Sequence, residues 1–183
     1  MVRQMSLSPI KCNVLETMLL RDKPARAAQI AEEIGQKFPP VMMHLIGLAR
    51  MGYVCSPEKG LYTITERGKK ALGIPGIGKE TAKAILADTR DKAFHFYADI
   101  GKPLNCCAKS LEDFCSKIQK ISVDSIEFHL NRGDFESWFV GLGDLELAKK
   151  TALLKKKKLA GEELRTRLHE IVENRCVLLA TLV

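Results

Sequence analysis

The segment VMMHLIGLARMGYV, residues 41–54, restricts the fold of this 183-residue chain more than any other stretch. Val41, Leu45 and Leu48 are spaced i, i+4, i+7, which places them on one side of a helix that faces a core. Gly52 is suited to end that helix, and residues 53–55 favour a strand. The segment therefore predicts a helix that leads directly into a small sheet.

The flanking residues predict the rest of a small helical domain with a β-hairpin. Ser8 and Pro9 form a favourable N-cap and N1 pair, and the sequence Pro57-Glu58-Lys59-Gly60 is typical of a turn between two strands. In chain order, the predicted elements are helices over about 9–20 and 25–34, a third helix with Pro39 and Pro40 in its first turn, strands over 53–55 and 61–64, and a short helix from Thr65 to Leu72.

This order of elements resembles the winged-helix domains of the archaeal and bacterial ArsR and MarR repressor families over residues 8–72. The resemblance is carried by the pattern V-x-x-H-L-x-x-L-x-x-x-G-[LY]-[VI], which is matched by Val41, His44, Leu45, Leu48, Gly52, Tyr53 and Val54, and by Tyr62-Thr63-Ile64-Thr65 and Gly68 after the hairpin. It implies a transcription regulator that binds double-stranded DNA with its third helix. It also implies a homodimer, because repressors of this class are usually two-fold dimers.

The outward face of the third helix lacks the polar side chains that usually contact base edges. At about 100° per residue, Met43, Ile46, Gly47 and Arg50 point outwards and Met42 lies at a flank. Among these only Arg50 is a natural hydrogen-bonding group for a base or phosphate. Two interpretations stay open: the helix lies on DNA held mainly through phosphates, or its apolar residues dock a protein partner without specific DNA binding.

The net charge of +7 lies mainly in the N-terminal half. Residues 1–90 contain 14 basic and 8 acidic side chains, whereas residues 91–183 contain 15 and 14. Positive charge attracts polyanions, and phosphate contacts require only cations and amides. The residues predicted to contact DNA are Arg26, Lys37, Met42, Met43, Ile46, Arg50, Lys59, Arg67, Lys69 and Lys70.

Residues 73–86, GIPGIGKETAKAIL, resemble the hairpin of helix-hairpin-helix proteins, in which amides at a helix start hold a DNA phosphate. Gly76 and Gly78 would form the turn and Lys79 would add positive charge. The alternative is a linker with a helix, since short glycine patterns arise by chance. We predict a winged-helix domain over 1–73, a linker over 74–91 and a second domain over 92–183.

The C-terminal half is predicted to be mostly helical, with at least one strand over 93–98. Helices are predicted after Ser110, over 123–130, 135–142 and 145–154, and from Gly161 to the end. The expected fold class is thus α+β, mainly α. In the last helix Leu164, Leu168, Ile171, Leu178 and Leu182 step by four and three, interrupted by Arg175, which suits either a dimer interface or packing on its own domain.

Residues 92–150 resemble a largely archaeal family of uncharacterised domains. The pattern F-H-x-x-R-G-D-F-x-x-W over residues 128–138 carries this resemblance, which suggests a module that senses an effector or docks a partner. The candidate effector-site residues are His95, Cys106, Cys107, Cys115, His129, Arg132, Asp134 and Trp138. Histidine and cysteine bind zinc, but no C-x-x-C pair occurs. We expect no cofactor, with metal or thiol sensing as the alternative.

The remaining motifs exclude other classes of function. We find no Ser-His-Asp order, no phosphate-binding Walker loop and no dinucleotide-binding pattern, and we expect no enzyme. The six cysteines lack the spacing of a disulfide framework. No apolar run approaches the ~20 residues of a membrane span, and the start MVRQMSLSPIK lacks the apolar core of a signal peptide. We therefore predict a cytoplasmic protein that does not interact with membranes.

Overall fold

The computed structural model describes residues 7–88 and 90–183, and the chain divides into two compact units between Gly76 and Ile77. The fold is α+β and mainly helical, as the sequence predicts. We number the helices and strands in chain order and describe each unit by itself.

Residues 7–76 of the first unit contain four helices and three short strands. Its elements are α1 (Pro9–Arg21), β1 (Ala25–Arg26), α2 (Ala27–Glu33), α3 (Phe38–Arg50), β2 (Val54–Cys55), β3 (Leu61–Ile64) and α4 (Glu66–Ala71). The strands form an antiparallel sheet in the order β1-β3-β2, with Ala25 opposite Tyr62 and Val54 opposite Ile64. The predicted inward stripe of α3 is fully buried and packs against α1 and α2.

Helix α2 begins two residues later than the sequence predicts. Ala25 and Arg26 pair with Tyr62 and Leu61 and so form a strand before the helix starts. The Arg26 N–H donates to the side-chain oxygen of Gln29 at 3.0 Å, which satisfies an amide at the helix start. The prediction failed because strand pairing with a distant segment cannot be read from local apolar spacing.

The described residues of the second unit, 77–88 and 90–183, combine a β-hairpin with six helices. Its elements are α5 (Lys79–Leu86), β4 (Phe94–Asp99), β5 (Lys102–Ala108), α6 (Leu111–Ile118), α7 (Val123–Arg132), α8 (Asp134–Leu142), α9 (Leu145–Lys156) and α10 (Gly161–Thr181), with a 3₁₀ turn over Arg90–Lys92. Phe94 and Phe96 on β4 point inwards and contact Phe114 of α6 in edge and stacked geometries. An aromatic core therefore joins the hairpin to the helices.

Strand β5 has no clear signal in the sequence. Its residues lack an alternating pattern, Pro103 removes a backbone donor, and Asn105 adopts a left-handed φ of 50°. Pairing with β4, in which Phe94 lies opposite Ala108, holds the segment extended despite these residues.

Helix α5 lies in the segment that the sequence assigned to a linker. Its buried residues, Ala82 and Ile85, belong to a helix that packs against α6 and α10. Residues 79–86 are thus an integral part of the second unit.

Helix α10 packs on its own unit along most of its length. Leu164, Leu168 and Ile171 are buried, and the helix contacts α5, α6, α7 and α9. Arg175, which we interpreted as an interruption of the apolar stripe, is 3 % exposed and continues the buried face, whereas Leu178 is exposed. The stripe predicted from leucine spacing was therefore wrong in its second half.

None of the helices in residues 7–88 and 90–183 combines the length and apolar character that a membrane span requires.

Candidate functional site

Helix α3 presents an outward face that is part apolar and part basic. Lys37 precedes the helix, and Pro39 lies in its first turn, where a missing N–H costs little. Met43 is 67 % exposed and Arg50 is also exposed. Of the predicted outward residues, Met43 and Arg50 are thus exposed to solvent, whereas Ile46 and Gly47 are half-buried.

Two of the predicted contact residues on α3 are less accessible than Met43. Met42 is half-buried, packs against the core, and accepts a hydrogen bond at Sδ from the Tyr62 hydroxyl of β3 at 3.8 Å. Ile46 is also half-buried. The exposed apolar contribution of the helix therefore comes mainly from Met43, together with Phe38 at the start of the helix, which is 50 % exposed.

The predicted phosphate-contacting cations fall into two groups. The exposed group contains Arg26, Lys37, Arg50, Lys59, Arg67 and Lys70. The ammonium of Lys69 instead lies 3.0 Å from Glu66, and its side chain is 13 % exposed. We therefore expect the contribution of Lys69 to an interface with a polyanion to be smaller than that of Lys59.

The hairpin is tied to the end of α3 by the start of α4. The Thr65 hydroxyl donates to the carbonyl of Gly52 at 2.7 Å and accepts from the Gly68 N–H at 3.1 Å. A methyl group at Gly68 would overlap the Tyr53 carbonyl oxygen and lie 2.8 Å from Ile64 Cγ1. Glycine at position 68 is thus required for the close approach of α4 to the hairpin.

Lys11 is a neighbour of the α3 surface that the sequence analysis did not identify. A Cβ added at Gly47 would lie 3.7 Å from the ammonium nitrogen of Lys11, which extends from α1. The sequence signal that could have indicated this neighbour is Gly47, a residue without a side chain on the outward face of a helix whose other outward residues are large. Lys11 adds another positive charge beside the outward face.

The start of α5 is the second predicted phosphate-binding feature. Gly78 is the N-cap residue, with φ −94°, and it has no side chain that could cap the helix. Lys79 is exposed. Gly76 and Gly78 do not adopt the left-handed conformation. Phosphate binding here stays a prediction.

In the second unit, His129 and Asp134 lie at the centre of the F-H-x-x-R-G-D-F-x-x-W segment. The Tyr97 N–H donates to His129 Nε2 at 2.8 Å, so this nitrogen carries no proton, and Nδ1–H donates to Asp134 Oδ2 at 2.8 Å. Burial lowers the pKa of His129 below 6.5; Arg132 acts in the same direction and Asp134 against it. With both ring nitrogens engaged, His129 has no lone pair left for a metal or a proton transfer.

The other residues of this segment also hold the hairpin and helices together. Arg132 lies over the Phe128 ring, with its Cζ 5.1 Å from the ring centroid, and its Nε donates to Asp134 Oδ2 at 3.1 Å. Gly133 adopts a left-handed φ of 78° and connects α7 to α8. Trp138 Nε1 donates to the carbonyl of Lys92 at 2.7 Å. The segment therefore holds β4 at Tyr97 and the 3₁₀ turn before β4 at Lys92.

The predicted thiol and histidine ligands do not converge. His95 lies opposite Cys107 across the hairpin, whereas Cys106 lines a cavity beside α6. Burial, with a contribution from Glu173, raises the pKa of Cys115 to about 11. In the described ranges, no three His, Cys, Asp or Glu side chains are placed to share a metal ion.

A buried ion network is the clearest polar feature that the sequence did not reveal. Arg175 contacts Asp144 at 2.7 and 2.9 Å and Glu146 at 2.9 Å, and Lys150 lies 3.0 Å from Glu146. All four side chains are at most 4 % exposed. Asp144 also accepts from the Leu147 N–H at 2.9 Å and so caps α9. Two cations and two carboxylates balance in charge, which indicates a structural role.

Comparison with known protein families finds a match that lies within the second unit. A family of unknown function, DUF5752, matches residues 79–173. The chain belongs to this family. The matched range contains α5 and extends into α10, so it is wider than the segment 92–150 whose sequence resembles an uncharacterised family. No curated protein and no solved structure matches the chain.

Proposed function

We propose that this DUF5752 protein is a DNA-binding transcription regulator, in which residues 8–72 form an ArsR/MarR-like winged helix and the second unit senses an effector or docks a partner. The observation that carries the proposal is the topology of the first unit. Its helices α1, α2 and α3 are followed by the β2–β3 hairpin and α4, which is the order of elements on which the resemblance to winged-helix domains rests.

The distribution of charge supports the DNA-binding half of the proposal. Residues 1–76 contain 11 basic and 6 acidic side chains, an excess of five positive charges. Arg50 lies at the end of α3, Lys59 in the hairpin turn and Lys37 directly before α3, and all three are exposed. Cations around a helix and a hairpin suit contacts with successive DNA phosphates.

The outward side chains of α3 indicate how specificity would arise. Met43 and Ile46 cannot hydrogen-bond to base edges, although an apolar group can pack on a thymine methyl. We infer that phosphate contacts supply most of the affinity, and that specificity comes from Arg50, DNA shape and the spacing of two domains in a cytoplasmic homodimer.

Fluorescence anisotropy across a salt series tests this proposal. The probes are DNA from upstream of the protein's own gene and a shuffled duplex, and the variants are R50E and K59E, with K120E as a matched charge reversal at an exposed lysine of the second unit. We expect salt-dependent binding that R50E and K59E weaken and K120E leaves unchanged. Absence of binding to either duplex at low salt would exclude the proposal.

Sedimentation with and without DNA tests the dimer separately. We expect a dimer on DNA with two half-sites. A strict monomer in both conditions would exclude a mechanism based on the spacing of two domains.

A second candidate function is a protein-interaction adaptor that uses the apolar residues of α3. The observation that favours it is the exposure of Met43 and Phe38 on one helix, because methionine adapts to irregular partner surfaces. M43S separates the two functions: loss of a protein partner with DNA affinity intact supports the adaptor. Binding that depends on Arg50 and Lys59 supports the regulator.

A further inference from the structure

A cavity of about 360 Å³ lies between the β4–β5 hairpin and α7 in the second unit. Its walls include Tyr97 and Ile100 from the hairpin and Phe128 and Arg132 from α7. Ile100 is 77 % exposed and Tyr97 is 36 % exposed. The volume is within the range of small-molecule sites, and a bound molecule would cover apolar surface that now contacts water.

Arg132 is held at the edge of this cavity with unused donors. Its Nε is engaged by Asp134 and its guanidinium lies over Phe128, so its orientation is fixed from two sides. Asp134 is itself fixed by Nδ1–H of His129. Within residues 7–88 and 90–183, the two terminal amino groups of Arg132 have no hydrogen-bond acceptor, and half of the side chain is exposed. A fixed guanidinium of this kind suits a planar acceptor such as a carboxylate.

The charges around the cavity restrict the ligand further. Asp134 is compensated by Arg132, and Asp99 is compensated by Lys102, whose ammonium lies 3.2 Å away. These two cations and two carboxylates sum to zero charge. A bound monoanion would therefore leave one net negative charge, whereas a dianion such as a phosphate monoester would leave two, and this difference favours the monoanion.

We propose that this cavity binds a small monocarboxylic acid with an apolar or aromatic body, whose carboxylate pairs with the terminal amino groups of Arg132 and whose body packs against Phe128, Tyr97 and Ile100. The apolar residue at the exposed hairpin tip then forms the wall of a binding site. The role of this cavity as the sensing pocket of a regulator rests on the proposed function. Binding of the carboxylic acid to the cavity is independent of whether the chain binds DNA.

Titration of the full chain with phenylacetate, followed by ¹⁵N–¹H correlation spectra in the absence of DNA, tests the proposal. We expect saturable shifts of the amides of Tyr97, Ile100 and Arg132. R132M is expected to weaken binding at least about tenfold, because it removes a charge-assisted pair. R132K is also expected to weaken binding, because the ammonium lacks the planar fork. K120M removes an exposed charge outside this cavity and should leave the affinity unchanged.

Two further measurements keep the test independent of folding and of DNA binding. I100S changes an exposed tip residue and should weaken phenylacetate binding while the spectrum stays that of the folded chain. Phenylacetamide should bind more weakly than phenylacetate, and so should phenyl phosphate. Equal binding of phenylacetamide, equal binding by R132M, or no saturable shift at the three amides would overturn the proposal, even if the chain binds DNA as proposed.

Discussion

The two units use their positive charges in opposite ways. In the first unit, Arg50 and Lys59 are exposed and available to a polyanion. In the second, which contains 18 basic and 16 acidic side chains, Arg175 and Lys150 are buried with carboxylates. Arg50 and Arg175 contribute equally to the net charge of the sequence, but only Arg50 can reach a partner. Net charge therefore indicates a binding surface only after the internally paired cations are excluded.

Substitution of Arg175 is expected to have the largest effect. R175M leaves Asp144 and Glu146 buried without their guanidinium partner and should lower the free energy of unfolding by about 3–5 kcal/mol. Urea unfolding followed by the fluorescence of Trp138 measures this effect, since the chain's single tryptophan reports on the second unit. K120M, which removes an exposed charge from the same unit, should change stability by no more than about 0.5 kcal/mol. A loss below about 1 kcal/mol for R175M would contradict the buried network.

In the first unit, a backbone contact should matter more than any exposed charge. G68A inserts a methyl group against the Tyr53 carbonyl and should destabilise the unit by about 1–3 kcal/mol. Amide hydrogen exchange at Val41 and Leu45 in α3 measures the loss. The control is G141A, because a Cβ added at Gly141 in α8 would meet no atom within 4 Å and alanine is the better helix former by up to about 1 kcal/mol. Unchanged protection of α3 in G68A would show that α4 can move away without cost.

The sequence predicted the helices well because their causes are local. The buried face of α3 follows from i, i+4, i+7 spacing, and Ser110 caps α6 through the Asp113 N–H at 3.1 Å. Elements that depend on distant partners were missed or displaced. Strand β5 depends on β4, and the first residues assigned to α2 are held by β3.

The candidate sites were predictable only as residue lists. His129, Arg132 and Asp134 were identified together, but the sequence could not show that the Tyr97 amide occupies His129 Nε2. Arg175 is a further example. In the sequence, a charged residue within an apolar stripe indicates an exposed interruption of that stripe. Only the structure shows that Asp144 and Glu146, 31 and 29 residues away, pair with Arg175 and allow it to be buried. Hydrogen-bond partners that are distant in the chain decide which polar residues remain available for function.

A third prediction concerns the pH dependence of the second unit. His129 is buried as the neutral imidazole, and its pKa is lowered in the folded state, so the unfolded chain takes up a proton at a higher pH. The stability that depends on neutral His129 is therefore fully present above about pH 6.5 and is lost as the pH falls from there through the lowered pKa of the folded state.

Urea midpoints from Trp138 fluorescence, measured between about pH 8 and pH 5, test this sign. The midpoint should fall on acidification in the wild-type chain and in H95Q, which changes an exposed histidine on β4. In H129Q the chain should be less stable at pH 8 but should lose most of the dependence between these pH values. A urea midpoint that rises on acidification in the wild type would mean that His129 is protonated in the folded state.

The smallest expected effect separates an exposed cation from a paired one within the first unit, and it depends on the proposed DNA binding. Each cation that contacts a phosphate adds about 0.9 to the magnitude of the slope of log affinity against log salt. K59Q removes an exposed lysine from the hairpin turn and should reduce that slope by about this amount. K69Q removes an ammonium that already pairs with Glu66, so its reduction should be smaller.

Anisotropy on the shuffled duplex measures both without a contribution from base readout. Equal reductions of the slope by K59Q and K69Q would mean that Lys69 leaves Glu66 and contacts a phosphate when DNA binds. In that case, ion pairing would make a cation unavailable only where the pair is as deeply buried as that of Arg175 and Asp144.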